Sequence, residues 1–160
     1  KLIIQNSKYV AVNAQLNASN IGFHTISKYK NADLVIINEN EMRHEMRDKS
    51  SELNYLIKKL AKKINSKIIT VTSGDQGSTS YNKKINKVFN CPAFASKVVD
   101  KIGAGDTMLA VLSLAIHKKA NIKFSMFLSA LAAAINVQSE ANSLVLNRVD
   151  MIKSIQSYLK

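Results

Sequence analysis

Residues 100–107 of the chain read DKIGAGDT, and an apolar run over residues 108–116 follows without a break. Gly103 and Gly105 have no side chain, so the backbone there can turn sharply and bring its amides close to a ligand before a helix begins. The first turn of such a helix has amide groups without intrahelical partners and carries the positive end of the helix dipole, and both features attract anions. We therefore predict an anion site formed by Gly103, Ala104, Gly105 and Asp106.

Asp106 is an unusual residue to find at an anion site. Its carboxylate would repel a phosphate group, unless its role is to take a proton from the hydroxyl group that attacks the phosphate. The alternative is that Asp106 and Thr107 only cap the helix, as short polar residues often do. The pattern by itself leaves both interpretations open.

The composition is that of one globular domain with a hydrophobic core, since 46% of the 160 residues are hydrophobic. One cysteine and one proline argue against a disulfide framework and favour a reduced, cytoplasmic protein. The apolar stretches are too short to span a bilayer, so we expect no membrane partner. Because the sequence begins at Lys1 rather than at a methionine, we expect residues 1–160 to be part of a longer protein.

The formal net charge of +12 would suit a nucleic-acid partner. The lysines, however, are dispersed in pairs such as Lys58-Lys59 and Lys83-Lys84, and no aromatic residues alternate with them to stack on bases. Attraction of anionic phosphorylated substrates explains the charge equally well. A basic module that binds nucleic acid is therefore kept only as the alternative without enzymatic activity.

Two buried strands are predicted, and each is followed by polar residues. Residues 32–37 (ADLVII) and 67–72 (KIITVT) are apolar, rich in β-branched side chains and of strand length. The first run leads into residues 38–41 (NENE), and the second ends in residues 72–77 (TSGDQG). Sheets of α/β proteins bind ligands just beyond the carboxyl ends of their strands, so both segments are candidate binding sites. The alternatives are a helix N-cap at Asn38 and a tight turn over residues 72–77.

The remaining pattern predicts a layered α/β domain with a mainly parallel sheet. A short strand over residues 9–12 and a weak helical pattern over residues 13–28 precede the first buried strand. Charged helices are predicted over residues 39–49 and 51–64, and a hairpin over residues 78–81 and 85–89. Three further helices are predicted over residues 107–118, 124–137 and 149–159.

Three motifs resemble those of the ribokinase-like sugar kinases, the PfkB family. Residues 100–106 match the family's DTxGAGD signature except at Lys101, where the family more often has threonine. Asn38 and Glu41 form the family's NxxE motif. The residues of its TxGxxG motif are Thr72, Gly74 and Gly77. All three motifs occur in the family's order along the chain.

The resemblance implies a three-layer Rossmann-like (ribokinase-like) fold with a mainly parallel sheet and helices on both faces. It also implies ATP-dependent phosphorylation of a hydroxyl group of a sugar or sugar phosphate, with Asp106 as the base and the turn before it as the anion hole. Asn38 and Glu41 would help to place Mg²⁺ and the phosphates, usually through water. The residues expected to line the nucleotide site are Thr72, Gly74 and Gly77, with Ala130 facing the adenine.

The resemblance covers residues 13–159, which correspond to the carboxyl-terminal, ATP-binding and catalytic half of the family. The family's sugar-binding half precedes this region, so we expect residues 1–160 to form one domain that is inactive as an isolated fragment. Residues 12–15, 20–23 and 38–43 are most similar to sugar kinases of the heptose-phosphate kinase type. Some of those kinases are fused to a nucleotidyltransferase domain.

A dinucleotide-binding α/β domain without kinase activity is the second alternative. Such a domain needs GxGxxG after its first strand, but Met108 occupies the place of the third glycine. The sequence therefore favours the kinase over this alternative.

Overall fold

The computed structural model describes residues 6–15, 25–95, 97–100, 102–138 and 146–158. Over these residues the chain divides into two compact units. The first unit comprises the residues up to 73 together with residues 79–90, and the second comprises residues 74–78 and the residues from 91 onward.

The five strands of the sheet lie side by side in the order in which they occur along the chain. They are β1 (Ala11–Asn13), β2 (Leu34–Asn38), β3 (Ile68–Thr72), β4 (Ser78–Asn82) and β5 (Lys87–Cys91). β2 pairs in parallel with both β1 and β3, and Leu34 lies opposite Ala11 on one side and Ile68 on the other. β4 and β5 run antiparallel to their neighbours, because the connections over residues 73–77 and 83–86 are too short for a parallel crossover.

The described α-helices are α1 (Glu39–Met46), α2 (Leu53–Ile64), α3 (Ala104–His117), α4 (Ile122–Asn136) and α5 (Arg148–Tyr158). The first two belong to the first unit and the other three to the second. α1 and α2 each end where the next residue takes a left-handed conformation, at Arg47 (φ 51°) and Asn65 (φ 55°). Single turns of 3-10 helix lie at Ile26–Lys28 and Gly74–Gln76.

The core of the first unit lies between the sheet and α2. β2 is buried on both faces, as its continuous apolar sequence predicts, and Leu34, Val35, Ile36 and Ile37 are each at most 2% exposed. α2 places its apolar side chains in the same core as β2 and β3, and each of its leucines and isoleucines contributes roughly 1.5–3 kcal/mol through burial. These side chains are Leu56, Ile57, Leu60, Ala61 and Ile64.

In the second unit α3 packs along α4, and α4 also contacts α5. α4 contains several small buried residues, among them Ser129, Ala132 and Ala134. Phe94 packs edge-to-face against Phe127 and Tyr158, with ring centroids 5.4 and 4.9 Å apart. The Tyr158 hydroxyl donates a hydrogen bond of 2.9 Å to the Phe94 carbonyl, which fixes α5 to the segment after β5.

The predicted α/β class is confirmed, and the structure refines its details. The sheet is mixed, because an antiparallel hairpin follows the three parallel strands. The helix predicted to begin at Thr107 begins earlier, at Ala104, because Gly103 supplies the left-handed turn that precedes it. The weak helical pattern over residues 13–28 lies largely outside the described residues, apart from the 3-10 turn. None of the described helices is long and apolar enough to cross a membrane.

The burial of α2 can be tested with one pair of matched substitutions. Ile57 is fully buried, whereas Ile85 is 56% exposed in the turn between β4 and β5. We expect Ile57→Ala to lower the free energy of unfolding by about 2–5 kcal/mol, because it leaves a cavity in the core. Ile85→Ala should change the free energy of unfolding by less than about 0.5 kcal/mol. Urea denaturation of both variants measures the difference, and equal effects would contradict the assigned core.

Candidate active site

Asn38 and Glu41 form a complete capping box at the start of α1. The Asn38 side-chain oxygen accepts a hydrogen bond of 2.9 Å from the Asn40 amide, and also bonds the Glu41 amide. In return, Oε2 of Glu41 accepts a hydrogen bond of 2.9 Å from the Asn38 amide. The N-cap interpretation of this motif is therefore confirmed as its structural role.

The ends of β2 and β3 bring together the polar residues that follow them. Thr72 lies opposite Asn38 in the register of the two parallel strands. One residue further along each chain segment, the Ser73 hydroxyl donates a hydrogen bond of 2.6 Å to Oε2 of Glu39. That hydrogen bond lowers the pKa of Glu39, partial burial opposes the change, and Arg43 lowers the pKa further. The carboxyl edge of the first unit is thus polar and ordered.

Gly74 and Gly77 lie in the turn after β3, and they have different reasons to be glycine. Both adopt positive φ angles, 59° and 84° respectively. A Cβ added at Gly74 would meet nothing within 4 Å. A Cβ added at Gly77 would collide with the carbonyl oxygen of Cys91 and lie 2.7 Å from the carbonyl carbon of Pro92. Packing therefore requires glycine at position 77, whereas only the positive φ favours glycine at position 74.

The Gly103 to Asp106 turn opens α3 as the sequence predicts. Gly103 is the N-cap with φ 80°, a left-handed conformation, and its carbonyl accepts the first helical hydrogen bond from the Thr107 amide at 2.9 Å. The amides of Ala104, Gly105 and Asp106 precede that bond, so they have no acceptor within the helix. Ahead of the turn, the Asp100 carboxylate accepts a hydrogen bond of 2.9 Å from the Ile102 amide. Lys101 lies outside the described residues.

Asp106 is the third residue of α3, and its side chain is exposed. Among the residues that the structure describes, none forms a hydrogen bond or an ion pair with the Asp106 carboxylate. Ala130 lies in α4 and is half-buried. The geometry is compatible with a base at Asp106 and leaves the part played by Ala130 a prediction.

The candidate residues fall into two sets, one in each unit. The first unit contains Asn38, Glu41 and Thr72, and the pairing of β2 with β3 brings them to one edge. The second unit contains the glycines after β3, the turn before α3 and Ala130. Within the described ranges, no three acidic, histidine or cysteine side chains are grouped so that they could hold a metal ion. The Glu41 carboxylate is compatible with a contact to Mg²⁺ through water, because Oε2 accepts the bond from the Asn38 backbone amide and a carboxylate can accept further hydrogen bonds.

The contacts among Glu39, Arg43 and Ser73 were not predicted from the sequence. Arg43 bonds Oε1 of Glu39 through both Nε and Nη2, at 2.9 and 2.8 Å. The spacing of four residues between an acid and an arginine in a predicted helix was a usable signal for this pair. The bond from Ser73 to Glu39 spans 34 residues, and no local pattern indicates it.

Solved structures share the fold of this chain. Ribokinase from Thermotoga maritima is similar with a TM-score of 0.80 and 20% identity, over 97% of this chain and 52% of that one. Phosphofructokinase-2 from Escherichia coli is similar with a TM-score of 0.75 and 15% identity, over 95% of this chain and 48% of that one. The fold is therefore that of the ribokinase-like enzymes.

The chain belongs to the pfkB family of carbohydrate kinases, whose sequence profile matches residues 2–146. The bifunctional protein HldE of Campylobacter curvus is 36% identical over 114 residues, which are 69% of this chain and 24% of that protein. HldE of Helicobacter pylori strain 26695 is 30% identical over 121 residues, which are 74% of this chain and 26% of that protein. The chain thus spans about a quarter of the length of these relatives.

The two glycines after β3 provide a test of this geometry. Gly77→Ala should lower the free energy of unfolding by about 2–5 kcal/mol, because a positive φ costs an alanine 1–2 kcal/mol and the collision with Cys91 adds to it. Gly74→Ala has only the first cost, about 1–2 kcal/mol. Urea denaturation of the two variants compares them, and an equal loss at both positions would refute the close contact at Gly77.

Proposed function

We propose that this chain supplies the ATP-binding and catalytic part of a kinase that phosphorylates a hydroxyl group of a sugar or sugar phosphate. The observation that carries the proposal is the start of α3, where a left-handed Gly103 precedes three amides without acceptors within the helix and an exposed Asp106. Membership of the pfkB family supports the same activity.

In the proposed mechanism Asp106 is the general base and the turn before it is the anion hole. The Asp106 carboxylate accepts the proton of the attacking sugar hydroxyl. The sugar oxygen forms a bond to the γ-phosphorus of ATP as the bond from that phosphorus to the leaving ADP oxygen breaks. The amides of Ala104, Gly105 and Asp106 and the positive end of the α3 dipole stabilise the negative charge on the transferred group.

We further propose that Asn38 and Glu41 act on the metal and phosphates through water. Bound Mg²⁺ would neutralise charge on the β- and γ-phosphate oxygens. The partial exposure of Glu41 supports this role, since its carboxylate can accept hydrogen bonds from water besides the one from the Asn38 amide. The backbone N–H of Asn38 orients that carboxylate by donating a hydrogen bond to it.

The nucleotide itself is proposed to contact the residues after β3 and one residue of α4. The open space around Gly74 supports close approach of a ligand to its backbone. Thr72, with its hydroxyl, and Gly77 complete this lining, and Ala130 faces the adenine. The solved structure of Arabidopsis thaliana ribokinase with ribose and ATP, which is 24% identical and has a TM-score of 0.69, makes ATP the phosphate donor to test first.

For the substrate we propose a heptose phosphate, and for the partner a nucleotidyltransferase domain in the same protein. The similarity to bifunctional HldE proteins supports both. The sugar-binding half, the cytoplasmic location and the inactivity of residues 1–160 toward sugars all stay predictions. The alternatives of a dinucleotide-binding domain or a nucleic-acid-binding module receive no support from the family match.

Asp106→Asn in the full-length protein tests the base. We expect kcat to fall about 100-fold or more while the Kd for ATP stays within a few-fold, because a general base acts only in the chemical step. Asp150→Asn is the matched control, since Asp150 is also the third residue of a described helix, α5. A coupled assay of ADP release gives kcat, and calorimetry gives the Kd. Near-normal turnover by Asp106→Asn would remove Asp106 from the mechanism.

Glu41→Gln tests the proposed metal contact. The amide can keep the capping bond to the Asn38 amide but loses the negative charge, so we expect the Mg²⁺ concentration for half-maximal rate to rise about 3–10-fold. The thermal unfolding temperature of the variant should differ little from that of the wild type. Exposed Glu52, whose side chain makes no cap bond, provides Glu52→Gln as the control. If the Mg²⁺ dependence is unaltered, Glu41 serves α1 alone.

A further inference from the structure

Glu39 is the first residue of α1, and each oxygen of its carboxylate accepts a hydrogen bond from a different residue. Oε2 accepts the hydrogen bond from Ser73 at 2.6 Å, and Oε1 accepts from Arg43 at 2.9 Å. The Glu39 side chain is 28% exposed. Hydrogen bonds to a charged carboxylate are among the strongest in proteins. The bond from Ser73 to Glu39 therefore restrains both the end of β3 and the start of α1.

Arg43 restricts the position of the Glu39 carboxylate, because its guanidinium group is itself held by backbone carbonyls. Its Nη1 donates to the carbonyl oxygens of Lys49 and Ser51, at 3.2 and 3.0 Å. Those two carbonyls lie in the connection between α1 and α2, while Nε and Nη2 face Glu39. Because the guanidinium group is planar, these contacts restrict its rotation and hence the position of Glu39.

Ser73 is the residue at which the chain leaves β3 and enters the glycine-containing turn over residues 74–77. Gly74, which follows it, has a positive φ and no packing contact at the place where a side chain would be. A glycine without such contacts has many accessible conformations, so the order of the turn depends on the residues that flank it. The hydrogen bond from Ser73 to Glu39 supplies that order on the β3 side.

We infer that Glu39 is a positioning residue: held by Arg43, it fixes Ser73 and thereby the start of the turn that binds the nucleotide. This inference rests on the proposed ATP site. It also assigns a hydrogen-bonding state to Ser73, whose single hydroxyl proton is used by Glu39. The Ser73 oxygen can therefore accept a hydrogen bond from a ligand or a water but does not donate one to a phosphate.

The test compares four variants of the full-length protein by hydrogen exchange and by kinetics. Glu39→Ala and Ser73→Ala should each speed exchange in the peptide that covers residues 73–77 about tenfold, because both remove the same bond. Each should raise the KM for ATP about 5–10-fold with kcat within about twofold, the pattern of lost uniform binding. Ser73→Thr keeps the hydroxyl and should behave as the wild type. Glu52→Ala is the control for loss of an acidic side chain near a helix start.

The double variant Glu39→Ala/Ser73→Ala decides whether the two residues act through one bond. If they do, its exchange rate and KM match those of either single variant rather than the product of the two effects. The inference would be overturned if the effects of the two substitutions multiplied in the double variant. It would also be overturned if the single variants left exchange of residues 73–77 unchanged, or lowered kcat without changing the KM for ATP. Failure of ATP turnover in the wild-type protein would count against the proposed function instead, and hydrogen exchange would then decide the positioning of Ser73 by itself.

Discussion

The parallel pairing of β2 with β3 is the constraint on which the rest of the first unit depends. Parallel strands end at the same edge of a sheet, so Asn38 and Thr72 lie opposite each other and the residues after them emerge together. The polar residues that flank the apolar run of β2 fix this register, because a shift by one position would move exposed Asn38 or half-buried Asp33 into the buried part of the strand. Chemistry at the edge therefore follows from packing in the middle of the strands.

Neighbouring acids at this edge have different tasks, and their hydrogen bonds account for the difference. Glu41 accepts a hydrogen bond from the Asn38 amide and caps the start of α1. Glu39 instead accepts hydrogen bonds from Ser73 and Arg43. The contact of Glu41 is local along the chain, whereas the bond from Ser73 to Glu39 joins the end of β3 to α1. A carboxylate is suited to both tasks because each of its oxygens accepts more than one donor.

The sequence predicted those parts of the fold that are encoded locally. Continuous apolar runs predicted β2 and β3, and apolar residues spaced three and four apart predicted α2. Gly103 indicated the turn before α3. Glu39 and Ser73 were missed because their contact depends on which strands become neighbours, which no window of sequence contains. The reason for glycine at position 77 was hidden likewise, since it lies in the distant carbonyl of Cys91.

The capping box at the start of α1 has a consequence for how the motifs of this family are used to judge relatives. Asn38 and Glu41 hold the helix together whether or not a metal ion is bound. A descendant that had lost phosphoryl transfer would still be under selection to keep them. Asp106 makes no comparable contact with the described residues, so under the proposed mechanism a substitution at that position would follow more directly from loss of activity. The NxxE motif is therefore evidence of common ancestry, and under the proposed mechanism the aspartate after the second glycine is the better indicator that a relative has kept kinase activity.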